Sequence, residues 1–124
     1  MVIENQHKFL KILINGLRSY SECILSLEKI FDSGSTVEFK FLVIDECLTC
    51  FSVSEVFNII LEILKHSEEE APHTKIAYCN KTVEAIDMVS FAETVSVNRG
   101  LNLKGFTNEQ EATHWLLRDV DFNQ

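Results

Sequence analysis

Cys47 and Cys50 frame a C-x-x-C in the stretch DECLTCF, between an apolar run and a segment with helical spacing. A pair of thiols between a strand and a helix N-terminus is where a thiolate is stabilised for disulfide exchange. Asp45 and Glu46 directly before it oppose that chemistry, because neighbouring negative charge disfavours a thiolate. The pair also supplies only half of a four-ligand zinc site, and Cys23, Cys79, His7, His66, His73 and His114 show no companion spacing. No metal or other cofactor is expected. The histidines have no serine or cysteine partner at a spacing that marks nucleophilic catalysis. Gly16, Gly34, Gly100 and Gly105 form no phosphate-cradling loop, so nucleotide binding is not expected. Asp45 and Glu46 could belong to a phospho-receiver's acidic cluster, but Asn15 and Cys79 occupy the other acidic places, and the pair reads as a solvated strand end.

The scaffold that must position these groups is one domain over residues 1–124, with 46% hydrophobic residues to build a core and an ordinary 24% of charged ones. A net charge of -8 argues against a nucleic-acid groove and against an anionic membrane surface, since both call for basic residues. The longest helical apolar pattern, residues 56–64, is interrupted by Asn58 and Glu62, so no membrane span is expected. In MVIENQHKFLKILING, Glu4 stands ahead of the main apolar part and the basic start of a secretory leader is lacking, which makes the expected compartment cytoplasmic and the thiols reduced.

Residues 7–14 read as a strand closed by Asn15 and Gly16, and Val2 and Ile3 are a candidate for a short extra edge strand. Ser19 with Glu22 has capping-box spacing and opens a helix carrying Cys23, Leu27, Ile30 and Phe31, which residues 32–35 end. Residues 39–44 form an apolar run suited to a central strand, with Asp45 at its end. After a loop over 46–51, Ser52 with Glu55 opens a second helix whose face is Val56, Phe57, Ile60, Leu61 and Leu64. Glu68, Glu69 and Glu70 then lie in a loop before Pro72. Residues 75–79 make a third core strand, and Asn80, Lys81 and Thr82 lead into a helix from Val83 with Ile86, Val89 and Val95. Gly100 stops that helix; Leu101, Leu103 and Phe106 alternate as a strand does, and Thr107 with Gln110 opens the last helix, ending at Leu117. This alternation predicts an α/β fold: a four-stranded, mainly parallel sheet, beside the extra edge strand, with alternating helices on both faces.

Laid out in this way, the chain resembles the SpoIIAA-like fold shared by STAS domains and a related group of small bacterial proteins, STAS-like or lipid-binding and CRAL-TRIO-like. ILING with the helix from Ser19 is similar to the family's early strand, glycine and first helix; FLVIDE is similar to its central strand and KIAYC to the next. RGLNLKGFTNEQEATHWLL carries the closing pattern in Arg99, Gly100, Phe106, Glu111, Ala112, Trp115 and Leu116. Anti-sigma-factor antagonists of the class carry Asp-Ser-Ser-Gly at the start of the helix after the central strand. Here Ser54 falls on the first serine, while Glu55 and Val56 stand where the second serine and the glycine would be. Ser52 and Ser54 also serve the plain purpose of capping a helix.

The resemblance and the lack of an assembled catalytic motif imply a non-enzymatic module acting through a protein partner, or through a second copy of itself as a homodimer. The expected contact surface is the strand C-terminal edge, with Asp45, Glu46, Cys47, Cys50, Ser52, Ser54, Asn80 and Thr82. A second reading is a small carrier for an apolar or lipid-like ligand held between sheet and helices, with Phe51, Phe57 and Phe91 available to line a pocket. A thiol redox protein using Cys47 and Cys50 is the third.

Overall fold

The computed structural model describes residues 1–16, 19–47, 51–70, 73–82 and 85–118. Among them the elements run β1 (Val2–Asn5), β2 (Leu10–Gly16), α1 (Tyr20–Asp32), β3 (Lys40–Cys47), α2 (Val53–Glu70), β4 (Lys75–Cys79), α3 (Ile86–Asn98), β5 (Asn102–Phe106) and α4 (Glu109–Leu117). A short 3-10 turn, Gly34–Val37, joins α1 to β3. The strands lie side by side in chain order; β2 to β5 are parallel and β1 pairs antiparallel with β2. Val2 and Ile3 thus belong to a genuine edge strand.

Parallel neighbours joined in chain order by crossovers of one hand keep their connecting helices on one side of the sheet. Accordingly α1, α2 and α3 share a face, and α4, which follows the last strand, packs on the other. Leu10, Ile12, Phe41, Ile76 and Leu103 turn toward Leu27, Ile30, Ile60, Ile63 and Val95 of the first three helices. The alternate residues Leu42, Ile44, Ala77 and Cys79 meet Ala112, Trp115 and Leu116 of α4. Burial from both sides explains why β3 and β4 read as continuous apolar runs.

Local chemistry sets the helix starts. Ser19 Oγ accepts from the Glu22 amide at 3.1 Å while Glu22 Oε1 accepts from the Ser19 amide at 3.1 Å. The same reciprocal pair recurs at Ser52 and Glu55, at 2.9 and 3.2 Å. Gly100, at φ 80°, supplies the left-handed residue just beyond α3.

Several boundaries differ from the sequence expectation. The strand expected over 7–14 begins at Leu10, since the preceding residues turn the chain out of β1: His7 has φ 74° and its amide donates to Asn5 Oδ1 at 2.7 Å. β3 continues to Cys47, so Asp45 and Glu46 lie within the strand, in register with Ile14 and Asn15, rather than beyond it. Glu68, Glu69 and Glu70 extend α2 instead of forming a loop. Along α2 the buried stripe is Val56, Ile60, Ile63 and Ser67, and Leu61 is exposed. In α3 it is Val95 and Ser96 that are buried, while Ile86 is exposed; Val83 lies outside the described residues. Phe106 is out of phase with Leu101 and Leu103 and packs on the α4 face, its ring 5.7 Å from that of Trp115. The cap of α4 is Asn108, which accepts from the Glu111 amide at 3.0 Å, and not Thr107 with Gln110.

Candidate functional site

Strand register lays out the sheet face beneath α1, α2 and α3 in rows. Leu10, Phe41, Ile76 and Leu103 form one row, and Ile12, Val43, Tyr78 and Gly105 the next. Ile14 and Asp45 form the third, toward the C-terminal ends of the strands. The face is therefore graded, apolar at one end and polar at the other, by nothing more than the two-residue period of each strand.

A cavity of about 410 Å³ lies between this face and the three helices. Ile12, Ile14, Val43 and Ile76 line its floor; Leu27, Ile30, Ile60, Ile63 and Ala92 line its walls. Close-packed interiors seldom leave spaces much larger than a water molecule, and pockets for small molecules span about 300–1,000 Å³. The space is on the scale of a ligand, and its lining is mostly aliphatic.

Polar groups gather at one end. The Tyr78 hydroxyl donates to Asp45 Oδ2, and the Asn80 side chain hydrogen-bonds to that hydroxyl in turn. Asn80 Oδ1 accepts from both the amide and the hydroxyl of Thr82, at 2.9 and 2.6 Å. Asn80 is buried, whereas Thr82 is exposed, so the cavity reaches the surface beside Thr82. Burial, and then the Asp45 charge, push the Tyr78 phenol far above its ordinary value, which keeps it neutral and its proton on the bond to Asp45. Cys23 and Ser26 of α1 also line the cavity, and the Ser26 hydroxyl donates to the Cys23 carbonyl at 2.7 Å.

The expected contact surface is thereby divided. Asp45, Asn80 and Thr82 come together at the polar end of the cavity. Glu46, Ser52 and Ser54 are exposed, with Ser52 engaged as the cap of α2. Cys47 is the last residue of β3, and Cys50 lies outside the described residues. Of the three phenylalanines available for a pocket, Phe51 lines the cavity, while Phe57 and Phe91 pack against the core instead. Tyr78 was not anticipated, although its phase with Ile76 and Asn80 places it on the cavity face. Asp45 carries the same signal, in step with Phe41 and Val43.

Burial pushes the Cys79 thiol up from its ordinary value. Among the described residues no group of three or more His, Cys, Asp or Glu side chains is placed to hold a metal ion, and no helix is long and apolar enough to cross a membrane. Comparisons of the chain with protein-family models, with curated proteins and with solved structures give no match.

Proposed function

We propose that the chain is a small, non-enzymatic carrier that holds an apolar molecule between the sheet and helices α1, α2 and α3. The observation that carries this reading is the cavity of about 410 Å³, aliphatic over most of its lining and polar at one end only. Such a container binds by removing apolar surface from water, and its few polar groups orient the guest. The resemblance to lipid-binding, CRAL-TRIO-like relatives of STAS domains agrees with it.

The experiment is a titration with N-phenyl-1-naphthylamine, a neutral fluorophore that brightens in apolar surroundings. Saturable enhancement at one site per chain is expected, weakened about tenfold or more by Ala92→Phe or Val43→Phe, which add bulk to the wall or the floor. Circular dichroism checks that the variants fold. Enhancement that does not saturate, or that both filling variants leave unchanged, rules the carrier out.

A second reading is a STAS-like interaction module that meets a protein partner, or a second copy of the chain, at Glu46, Ser52 and Ser54. It draws on Val53, which is 67% exposed between the two serines. Single exposed apolar residues are common on soluble domains, so this supports it less than the cavity supports the carrier. Native mass measurement at micromolar concentration tests the homodimer form, which a purely monomeric mass would exclude.

A further inference from the structure

The cavity is closed at one end and open at the other. Its deep end is the row of Phe41, Ile76 and Leu103, all buried, with Leu27, Ile30 and Ile63 of the helices over it, buried as well. Phe31 also lines this end, its ring 5.2 Å from that of Phe41 and 5.1 Å from that of His66, and the three rings plug it. The other end is the mouth beside the exposed Thr82. Polar side chains of the lining, among the described residues, gather toward that mouth: Asp45, the Tyr78 hydroxyl bonded to it, Asn80 and Thr82, with Cys23 and Ser26 from the first two turns of α1. From Phe41 to Asp45 the floor runs four residues along β3, which at the rise of a parallel strand is about 13 Å. An extended chain advances about 1.2 Å per bond, so that span takes a chain of about ten atoms. The volume of about 410 Å³ holds about fourteen groups of water size at about 30 Å³ each, room for one such chain and not for two.

We infer that the guest is a single unbranched chain of about ten carbons with its polar group at one end only, and that it enters beside Thr82 tail first, the tail stopping against Phe41 and Ile76. This inference rests on the carrier reading. A polar group on the leading end would be stripped of water among Phe41, Ile76, Leu103 and Phe31, with no polar side chain of the lining to meet it there. At the mouth the same group keeps contact with water and with the side chains of Asn80 and Thr82. Each methylene that fits between the two ends leaves water for an aliphatic wall, and one that exceeds the length stays outside.

The test is displacement of N-phenyl-1-naphthylamine from the unaltered chain by neutral alcohols, each below its solubility limit. 1,2-Decanediol keeps both hydroxyls together at the mouth, whereas its isomer 1,10-decanediol must bury one of them at the plug. The first should displace the fluorophore at a concentration at least about fivefold below the second. Along 1-hexanol, 1-octanol and 1-decanol, displacement should strengthen about fourfold per methylene, and from 1-decanol to 1-dodecanol the gain should fall below about twofold per methylene. A smaller difference between the two isomers overturns the tail-first placement, and a gain that holds through 1-dodecanol overturns the closed end; either result leaves the carrier standing. Alcohols that leave the bound fluorophore in place overturn the single-chain guest. Failure of the fluorophore to bind at all removes the inference and the carrier together.

Discussion

Lys75 and Trp115 meet twice: Lys75 Nζ donates to the Trp115 carbonyl at 2.8 Å and lies 4.5 Å from the centre of the same residue's ring. The ammonium also bonds the Arg118 carbonyl at 3.0 Å, so a residue of β4 caps the C-terminal end of α4. The end of a helix carries orphan carbonyls and partial negative charge, which a cation satisfies. Lys75 is only 6% exposed, and these partners, with the ring above, help to make its burial tolerable.

Lys75→Met keeps the stem and removes the charge. It should lower unfolding free energy by about 2–3 kcal/mol, because charged hydrogen bonds are lost and the carbonyls they served stay largely buried. Urea denaturation measures this, and an unchanged midpoint would show the cap to be dispensable.

At Gly105 α3 packs directly on the sheet. A Cβ there would overlap Val89 Cγ1, and the Gly105 amide donates to Glu93 Oε2 at 2.8 Å. Gly105→Ala should cost about 1–3 kcal/mol through overpacking. Added to Val89→Ala, the same change should cost distinctly less, a coupling that a double-mutant cycle resolves and that strictly additive costs would refute.

Asn108→Ala should destabilise by about 1 kcal/mol as a lost N-cap, and Thr107→Ala by less than half of that. Thermal melts of the two variants compare them directly. The reverse order would restore the cap to Thr107.

Alkaline solution should weaken the fold. Tyr78 holds its proton more tightly than an ordinary phenol at 10.0, through burial and then the Asp45 charge; Cys79 more tightly than a thiol at 9.0, through burial; and Lys11 more tightly than an ammonium at 10.5, through its hydrogen bond to Glu109. All three are raised, so the folded chain binds more protons than the unfolded one at high pH, and stability falls as pH rises. The contribution is complete below the ordinary values and is lost as pH climbs toward the raised ones. Urea midpoints should decline from about pH 9 upward. In Tyr20→Phe, where Tyr78 is the remaining tyrosine, tyrosinate absorbance should appear only with unfolding; earlier ionisation at constant circular dichroism would contradict the geometry.

Features set by neighbouring residues were legible in the sequence. The two capping boxes, at Ser19 and Ser52, and the strand Lys75–Cys79 stand where their residue types place them. Legibility failed where two overlapping local solutions exist and only tertiary contact chooses between them. Thr107 and Asn108 can each cap a helix, and the approach of α4 to β3 and β4 favours the second. Leu61 and Ile86 are apolar, yet the faces of α2 and α3 that meet the sheet leave both in solvent. Asp45 looked terminal because charge follows the apolar run there, although β2 continues to pair with β3 through Cys47. The cavity itself had no local signature. It is a volume set by the spacing of three helices over a sheet, and spacing arises from long-range packing.

The two faces of the sheet carry different work. Trp115, Leu116 and the Lys75 cap close one face tightly, while the other gives up part of its packing to a chamber under three helices. Substitutions that reshape the chamber therefore fall on one phase of the strands, and those that disturb the anchorage of α4 on the other. On the carrier reading proposed above, such a separation would let the guest change residue by alternate residue while α4 stays anchored on the opposite face.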